Sequence, residues 1–352
     1  MKKLLFTPGP VMMSKKILKI GATQPMYFRN GEFSKIMFEC KKLILKLLNA
    51  PNGSDVVFIG GSGTLGMEAT LINIIEKNQK ASIINGGGFG ERFAKICKQK
   101  SINFSEVKLK LDENINFDTI DKNCKALFTN AHETTIGRAY DLKSIGEFCK
   151  KNKILFCVDA ISAFMADEID MTKQQIDAII ISSNKGLALP PGLCIIILSK
   201  NYIENLIPCD SFYMDFKNYL NDIKRGQTPF TPPICIIYQL LERLREIDKK
   251  GILYFNKKAS NLAKYFRNHI KDLPLKLYSK FPSNAMSAIE ITNGEDAFDF
   301  INKFEKLYNI TLTPSGGDLK EKLIRVGHLG NLNKKDMKFL IKCLKEYFKG
   351  KK

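Results

Sequence analysis

The chain has 352 residues, 44% of them apolar and 10% aromatic, which suits one large domain plus a smaller one and excludes a disordered chain. Its formal charge is +19, yet only eight of the 55 basic residues are arginine, and these form neither a cluster nor an aromatic-and-basic recognition motif, so a lysine-rich surface is favoured over nucleic-acid binding. No apolar run approaches a membrane span, and the basic start breaks at Thr7-Pro8-Gly9-Pro10, too early for a signal peptide.

Nine cysteines without a C-x-x-C pair, with Cys157, Cys194 and Cys235 inside apolar runs, read as buried thiols of a reducing compartment. The expected location is the cytoplasm, with no membrane partner. The positive field favours anionic small molecules instead.

In chain order, the turn at 7–14 leads to an N-cap at Ser14 and a short helix. A helix is expected over 32–48, where Phe33, Ile36, Met37, Leu43, Ile44 and Leu47 recur near helical spacing. A strand over 55–59 is followed by Gly60-Gly61-Ser62-Gly63-Thr64 and a helix over 65–75. The next strand, 81–85, runs into Gly86-Gly87-Gly88-Phe89-Gly90 and a helix over 91–98. A strand over 126–130 ends in His132-Glu133-Thr134-Thr135-Ile136-Gly137, and a helix over 145–151 leads to the strand 154–158, closed by Asp159.

The apolar run 178–181 then ends in Ser182-Ser183-Asn184-Lys185, and a second run, 193–198, starts just after Pro190-Pro191-Gly192. This repeat of strand, polar or glycine-rich loop and helix implies an α/β fold with a mostly parallel sheet covered by helices. After Ser199 the pattern changes. Residues 202–232 look irregular, and helices over 234–250 and 253–272 follow. Strands over 287–292 and 323–326 and helices over 295–308 and 334–348 then make a smaller α+β domain. The boundary is set at a large domain, 1–244, and a small one, 245–352, with a frayed lysine tail at 349–352.

Five successive strand ends carry unusual residues: Ser62 to Thr64, Phe89, Thr134 and Thr135, Asp159 and Lys185. Parallel strands bring all five to one edge of the sheet, where ligands of such folds bind. Ser62-Gly63-Thr64 before a helix can cradle a phosphate, or simply cap that helix. Phe89 between glycines can stack on a flat ring or pack into the core. Asp159 beyond a buried strand needs a cationic partner, a pyridinium nitrogen being one; an N-cap role or a metal are the alternatives. A metal is set aside because no His/Asp/Glu cluster has ligand spacing. Lys185 has no acidic neighbour within five residues, and desolvation there would make its amine nucleophilic. Phosphate cradle, stacking ring, carboxylate and amine together describe a pocket for pyridoxal phosphate.

The ordered set TPGP (7–10), GSGT (61–64), GGGFG (86–90), HETTIG (132–137), VDAISAF (158–164), SSNKGLALPPG (182–192), FTPP (230–233) and RVGHLGN (325–331) spans nearly the whole chain. With it the sequence resembles the class V pyridoxal-phosphate aminotransferases of fold type I, in the branch of the alanine/serine–glyoxylate and 2-aminoethylphosphonate–pyruvate enzymes. The resemblance implies that Lys185 is the Schiff-base lysine and proton shuttle, and that Asp159 pairs with the ring nitrogen. It places Phe89 and Ile161 on the two ring faces and Thr134 in a hydrogen bond to the cofactor. Ser62, Gly63 and Thr64, with Asn184 beside them, hold the phosphate. Relatives add a Tyr and a Thr from the partner subunit; Thr231 matches the Thr, whereas Thr228 stands near the Tyr position.

Gly9 and Arg325 would meet the substrate, Arg325 gripping its carboxylate. Arg29, in a stretch that matches neither group of relatives, reads as a surface arginine, the alternative being a contact with a distal anionic group of the substrate. The implied partners are small amino acids and oxo acids and a second copy of the chain in a homodimer that shares the cofactor site. The expected reaction moves an amino group from an alanine- or serine-type donor to glyoxylate or pyruvate. The alternative is 2-aminoethylphosphonate–pyruvate transamination, or another amino-group transfer or lyase reaction on a small phosphorylated substrate.

Overall fold

The computed structural model describes residues 3–349; Met1, Lys2 and the tail residues 350–352 lie outside the described residues. Its centre is a seven-stranded sheet in the order Asp55–Gly61, Gly192–Leu198, Ala178–Ser182, Leu155–Asp159, Ala126–Asn130, Lys80–Asn85, Asn103–Lys108. Only Gly192–Leu198 runs against its neighbours; the other six strands point the same way.

The three middle strands ALFTN, LFCVD and AIIIS are buried at every position, because helices cover both faces. Alternation decides which side chain meets which layer. Ile179, Ile181, Ile195 and Ile197 point to one core with helices Gly31–Leu47 and Ile234–Lys250, while Ile180, Ile196 and Cys194 point to a second with Gly63–Ile72 and Gly90–Gln99.

Two elements depart from the sequence pattern. The strand Asn103–Lys108 is a half-exposed edge strand, so its apolar content is too thin to stand out. Within 202–232, the stretch Phe216–Ile223 is helical, with Phe216, Tyr219, Leu220 and Ile223 buried at helical spacing and Asp215 capping it through the Lys217 amide. Cys157 and Cys194 are core thiols, but Cys235 is half-buried in the first turn of Ile234–Lys250, its Sγ facing the Thr23 carbonyl at 3.6 Å.

The C-terminal elements form a four-stranded antiparallel sheet in the order Leu275–Leu277, Met286–Ile291, Leu323–Gly327, Thr313–Pro314. Helices Ile252–His269, Ala297–Tyr308 and Lys334–Lys349 bury their apolar faces with it. The N-terminal segment is stitched into this unit. Leu4–Leu5 pairs in parallel with Ile310–Thr311, and the Gly327 amide donates to the Phe6 carbonyl at 2.6 Å. A Cβ on Gly327 would lie 2.3 Å from the Thr7 carbonyl oxygen, so glycine there lets the 7–10 turn cross the end of the strand and reach the main sheet.

Candidate active site

Because six strands run one way, the residues following 55–61, 80–85, 126–130, 155–159 and 178–182 collect at one edge of the sheet. A cavity of about 160 Å³ opens there. Its wall includes Ser62, Gly63, Thr64, Phe89, Thr134, Asp159, Ile161, Asn184 and Lys185, all singled out in the sequence, together with Arg92, Ser162 and Ser182, which were not.

Ser62 is the N-cap of helix Gly63–Ile72 but makes no capping hydrogen bond, so its hydroxyl is not spent on the helix. A Cβ at Gly63 would lie 2.2 Å from Ile161 Cδ1, so any larger residue there would have to displace the Ile161 side chain from the helix start. Thr64 Oγ1 accepts from Arg92 Nη1 at 2.9 Å. Free amides, two hydroxyls and a helix N-terminus make an anion cradle. Asn184 stands beside it, its Oδ1 accepting from Ser182 Oγ at 2.7 Å.

Phe89 is the N-cap of helix Gly90–Gln99 and has no side chain that could cap it. The buried Glu133 does so from another strand: its carboxylate accepts from the Phe89 amide at 3.1 Å, the Gly90 amide at 3.0 Å and the Thr135 amide at 3.1 Å. This fixes the Phe89 backbone and frees its ring to line the cavity. The Arg92 guanidinium lies over that ring, 4.6 Å from its centroid.

Asp159 ends its strand in register with Asn130, whose Nδ2 donates to Oδ2 at 2.7 Å, while the Ile161 amide donates to Oδ1 at 2.8 Å. Burial nevertheless raises the carboxyl to about 6, against the opposing pull of those two hydrogen bonds and of Arg92. Both side-chain oxygens keep a lone pair for a further donor. Thr134 Oγ1 and Ser162 Oγ face each other at 3.0 Å.

Lys185 has no ion-pair partner and no hydrogen-bond acceptor among the described residues. Burial, and secondarily the charge of Arg325, lower its amine to about 8 despite the opposing charge of Asp159. A Cβ at Gly9 would fall 2.3 Å from Lys185 Cδ and 2.7 Å from Nζ, so the N-terminal turn lies directly on the lysine stem.

A larger cleft of about 590 Å³ adjoins, sharing Phe89 and Arg92 with the first and lined also by Thr135, Gly316 and Arg325. Arg325, inside Leu323–Gly327, donates its Nε to the Pro314 carbonyl at 2.9 Å and has no carboxylate partner among the described residues. Its two terminal nitrogens are therefore available as a fork for a planar anion.

Thr231 is exposed and does not line either cavity of its own chain. Thr228 is buried and donates to the Phe230 carbonyl at 2.7 Å. Arg29 holds that loop by donating to the Thr228 and Pro229 carbonyls, each at 2.8 Å. Among the described residues no group of three or more His, Cys, Asp or Glu side chains is gathered to hold a metal, and no helix is long and apolar enough to cross a membrane.

Comparison with known proteins agrees with this geometry. The family model for aminotransferase class-V matches residues 19–303. An uncharacterized aminotransferase of Methanocaldococcus jannaschii is 30% identical over 97% of this chain and 92% of its own. The alanine–glyoxylate aminotransferase of Callithrix jacchus is 25% identical over 98% of this chain and 87% of its own. Among solved structures, an alanine–glyoxylate aminotransferase from Nostoc superposes with a TM-score of 0.92 at 23% identity, covering 98% of this chain and 95% of that one.

Proposed function

The chain belongs to the class-V aminotransferases, pyridoxal-phosphate-dependent enzymes of fold type I, and from that premise we propose that it moves an amino group from a small amino acid of the alanine or serine type to glyoxylate or pyruvate. The observation that carries the reading is Lys185: an amine in a cavity with no protein partner among the described residues, within the electrostatic reach of one carboxylate, Asp159, and two arginines, Arg325 and Arg92.

The residues at the cavity fit the cofactor. Ser62, with its hydroxyl not engaged in capping, and the bare Gly63 offer an anion cradle. Phe89 and Ile161 present two apolar surfaces for a flat ring. Asp159, already oriented by two donors, is acceptor to a ring N–H. When bound, pyridoxal phosphate supplies an aldehyde to take up the amino group and a ring that draws electrons from the substrate Cα.

The chain's own part is as follows. Arg325 orients the donor by its carboxylate through the two terminal nitrogens that Pro314 leaves available. Lys185, lowered to about 8, is partly unprotonated near neutrality and removes the proton from the substrate Cα. Asp159 would accept from the ring N–H and hold that nitrogen protonated, which is what would let the ring take up the electrons released at Cα. Glu133 keeps Phe89 and Thr135 at fixed positions through three backbone amides. Lys185 would pass that proton to the cofactor side of the site, one water would release the oxo acid and leave the amino group with the cofactor, and for the second oxo acid, held by the same Arg325, Lys185 would carry a proton back to Cα.

A small, singly charged donor suits the outer cleft better than a phosphonate. The cleft holds Glu91 and Asp318, and its Lys95 is already paired with Glu91 at 3.0 Å. The test is a donor screen. L-alanine or L-serine should bleach the visible band of the loaded enzyme, and glyoxylate or pyruvate should restore it. Bleaching only by 2-aminoethylphosphonate or a phosphorylated amine would replace this reading with the phosphonate one.

A further inference from the structure

Arg92 is one of eight arginines in the chain and lies on the first turn of helix Gly90–Gln99. It has no carboxylate within ion-pair distance among the described residues. Its guanidinium makes two contacts at the cavity: one face lies 4.6 Å from the Phe89 centroid, and Nη1 donates to Thr64 Oγ1 at 2.9 Å.

The second contact has a chemical consequence. A guanidinium only donates, so Thr64 Oγ1 must accept from it, and the single hydroxyl proton of Thr64 points elsewhere. Thr64 sits in the first turn of Gly63–Ile72, beside the uncapped Ser62, on the wall of the cavity. An acceptor in that cradle is placed to receive the Thr64 proton and lies close to a positive charge with no ion-pair partner among the described residues.

We propose that Arg92 is a positioning residue for the phosphate end of the cofactor: it orients and polarises the Thr64 hydroxyl toward the phosphate and supplies the charge that balances it. The inference rests on the reading that pyridoxal phosphate occupies this cavity. The sequence motifs bring Ser62, Gly63, Thr64 and Asn184, and the partner's counterpart of Thr231, to the phosphate; Arg92 joins them only through the packing of two helix starts that are distant in sequence.

The experiment compares two ligands on the apoprotein, pyridoxal phosphate and pyridoxal, which differ only in the phosphate. Binding is followed by the growth of the visible band and by quenching of tyrosine emission. Wild type prefers the phosphorylated form. Arg92→Ala should lower that preference by about 10- to 100-fold, the scale of one hydrogen bond to a charged group, while affinity for pyridoxal changes little. Arg92→Lys should recover part of the preference, because it keeps the charge without the fork. In the Arg92→Ala background, Thr64→Val should cost less than in wild type, since the two act through one bond.

Equal weakening of both ligands in Arg92→Ala would overturn the proposal and leave Arg92 as a prop for Phe89, with the site itself intact. Strictly multiplicative effects of Arg92→Ala and Thr64→Val would also overturn it. A wild-type protein that forms no Lys185-dependent band with pyridoxal phosphate would instead overturn the underlying reading, and this proposal with it.

Discussion

Replacing Lys185 by methionine should make the apoprotein more stable while destroying its chemistry. The amine is lowered from 10.5 to about 8, chiefly by burial and secondarily by Arg325. A base lowered on folding binds fewer protons in the native state than in the unfolded chain. Its cost is therefore fully present below pH 8 and disappears as pH rises toward 10.5. From those two values the charge costs about 3 kcal/mol at pH 7 and about 1.5 kcal/mol at pH 9.5.

Lys185→Met keeps the stem length and removes the charge, so its gain over wild type should follow the same curve. The assay is urea unfolding of both apoproteins at pH 7 and pH 9.5, read as the midpoint at constant slope. The variant should lead clearly at pH 7, and its lead should roughly halve at pH 9.5. A variant no more stable than wild type at pH 7, or a lead that does not shrink with pH, would refute the reasoning that this amine is held desolvated for reaction.

Three other substitutions probe the same arrangement. Arg325→Ala should lower kcat/KM for amino-acid donors by about 2–4 kcal/mol while leaving the cofactor band intact; unchanged kcat/KM for every amino acid would count against the assignment. Asp159→Asn should slow the half-reaction with the donor by about 10²–10³-fold, measured by stopped-flow bleaching, because a preorganised charge opposite the ring is lost; a rate within twofold of wild type would exclude that role. Gly9→Ala places a Cβ 2.3 Å from Lys185 Cδ, so cofactor capture by the apoprotein should slow with little change in thermal stability of the rest of the chain. A normal capture rate would mean that the N-terminal turn does not press on the lysine.

Much of this was readable in the chain because buried strands advertise themselves. ALFTN, LFCVD and AIIIS each open as an apolar run and close on polar residues, Thr129-Asn130, Asp159 and Ser182, which a buried strand end does not need for its own packing. Shared strand direction then puts Thr134, Asp159 and Lys185 on one edge of the sheet.

What was not readable depends on contacts between distant segments. Arg92 on a charged helix looks like any surface arginine until the start of Gly63–Ile72 packs beside it. Glu133 within HETTIG carries no sign that it caps a helix more than forty residues earlier, because its burial and its three amide partners exist only in the folded chain. The edge strand Asn103–Lys108 alternates too weakly to register. The buried spacing of Phe216, Tyr219, Leu220 and Ile223, by contrast, was present in the sequence and masked by the prolines and aspartates around it.

The most direct measurement is to load the protein with pyridoxal phosphate, reduce it with borohydride, digest it and locate the added pyridoxyl mass. The account predicts a single modified peptide carrying the label on Lys185, absent from Lys185→Met. A label on any other lysine, or none on a protein that still transaminates, would contradict it.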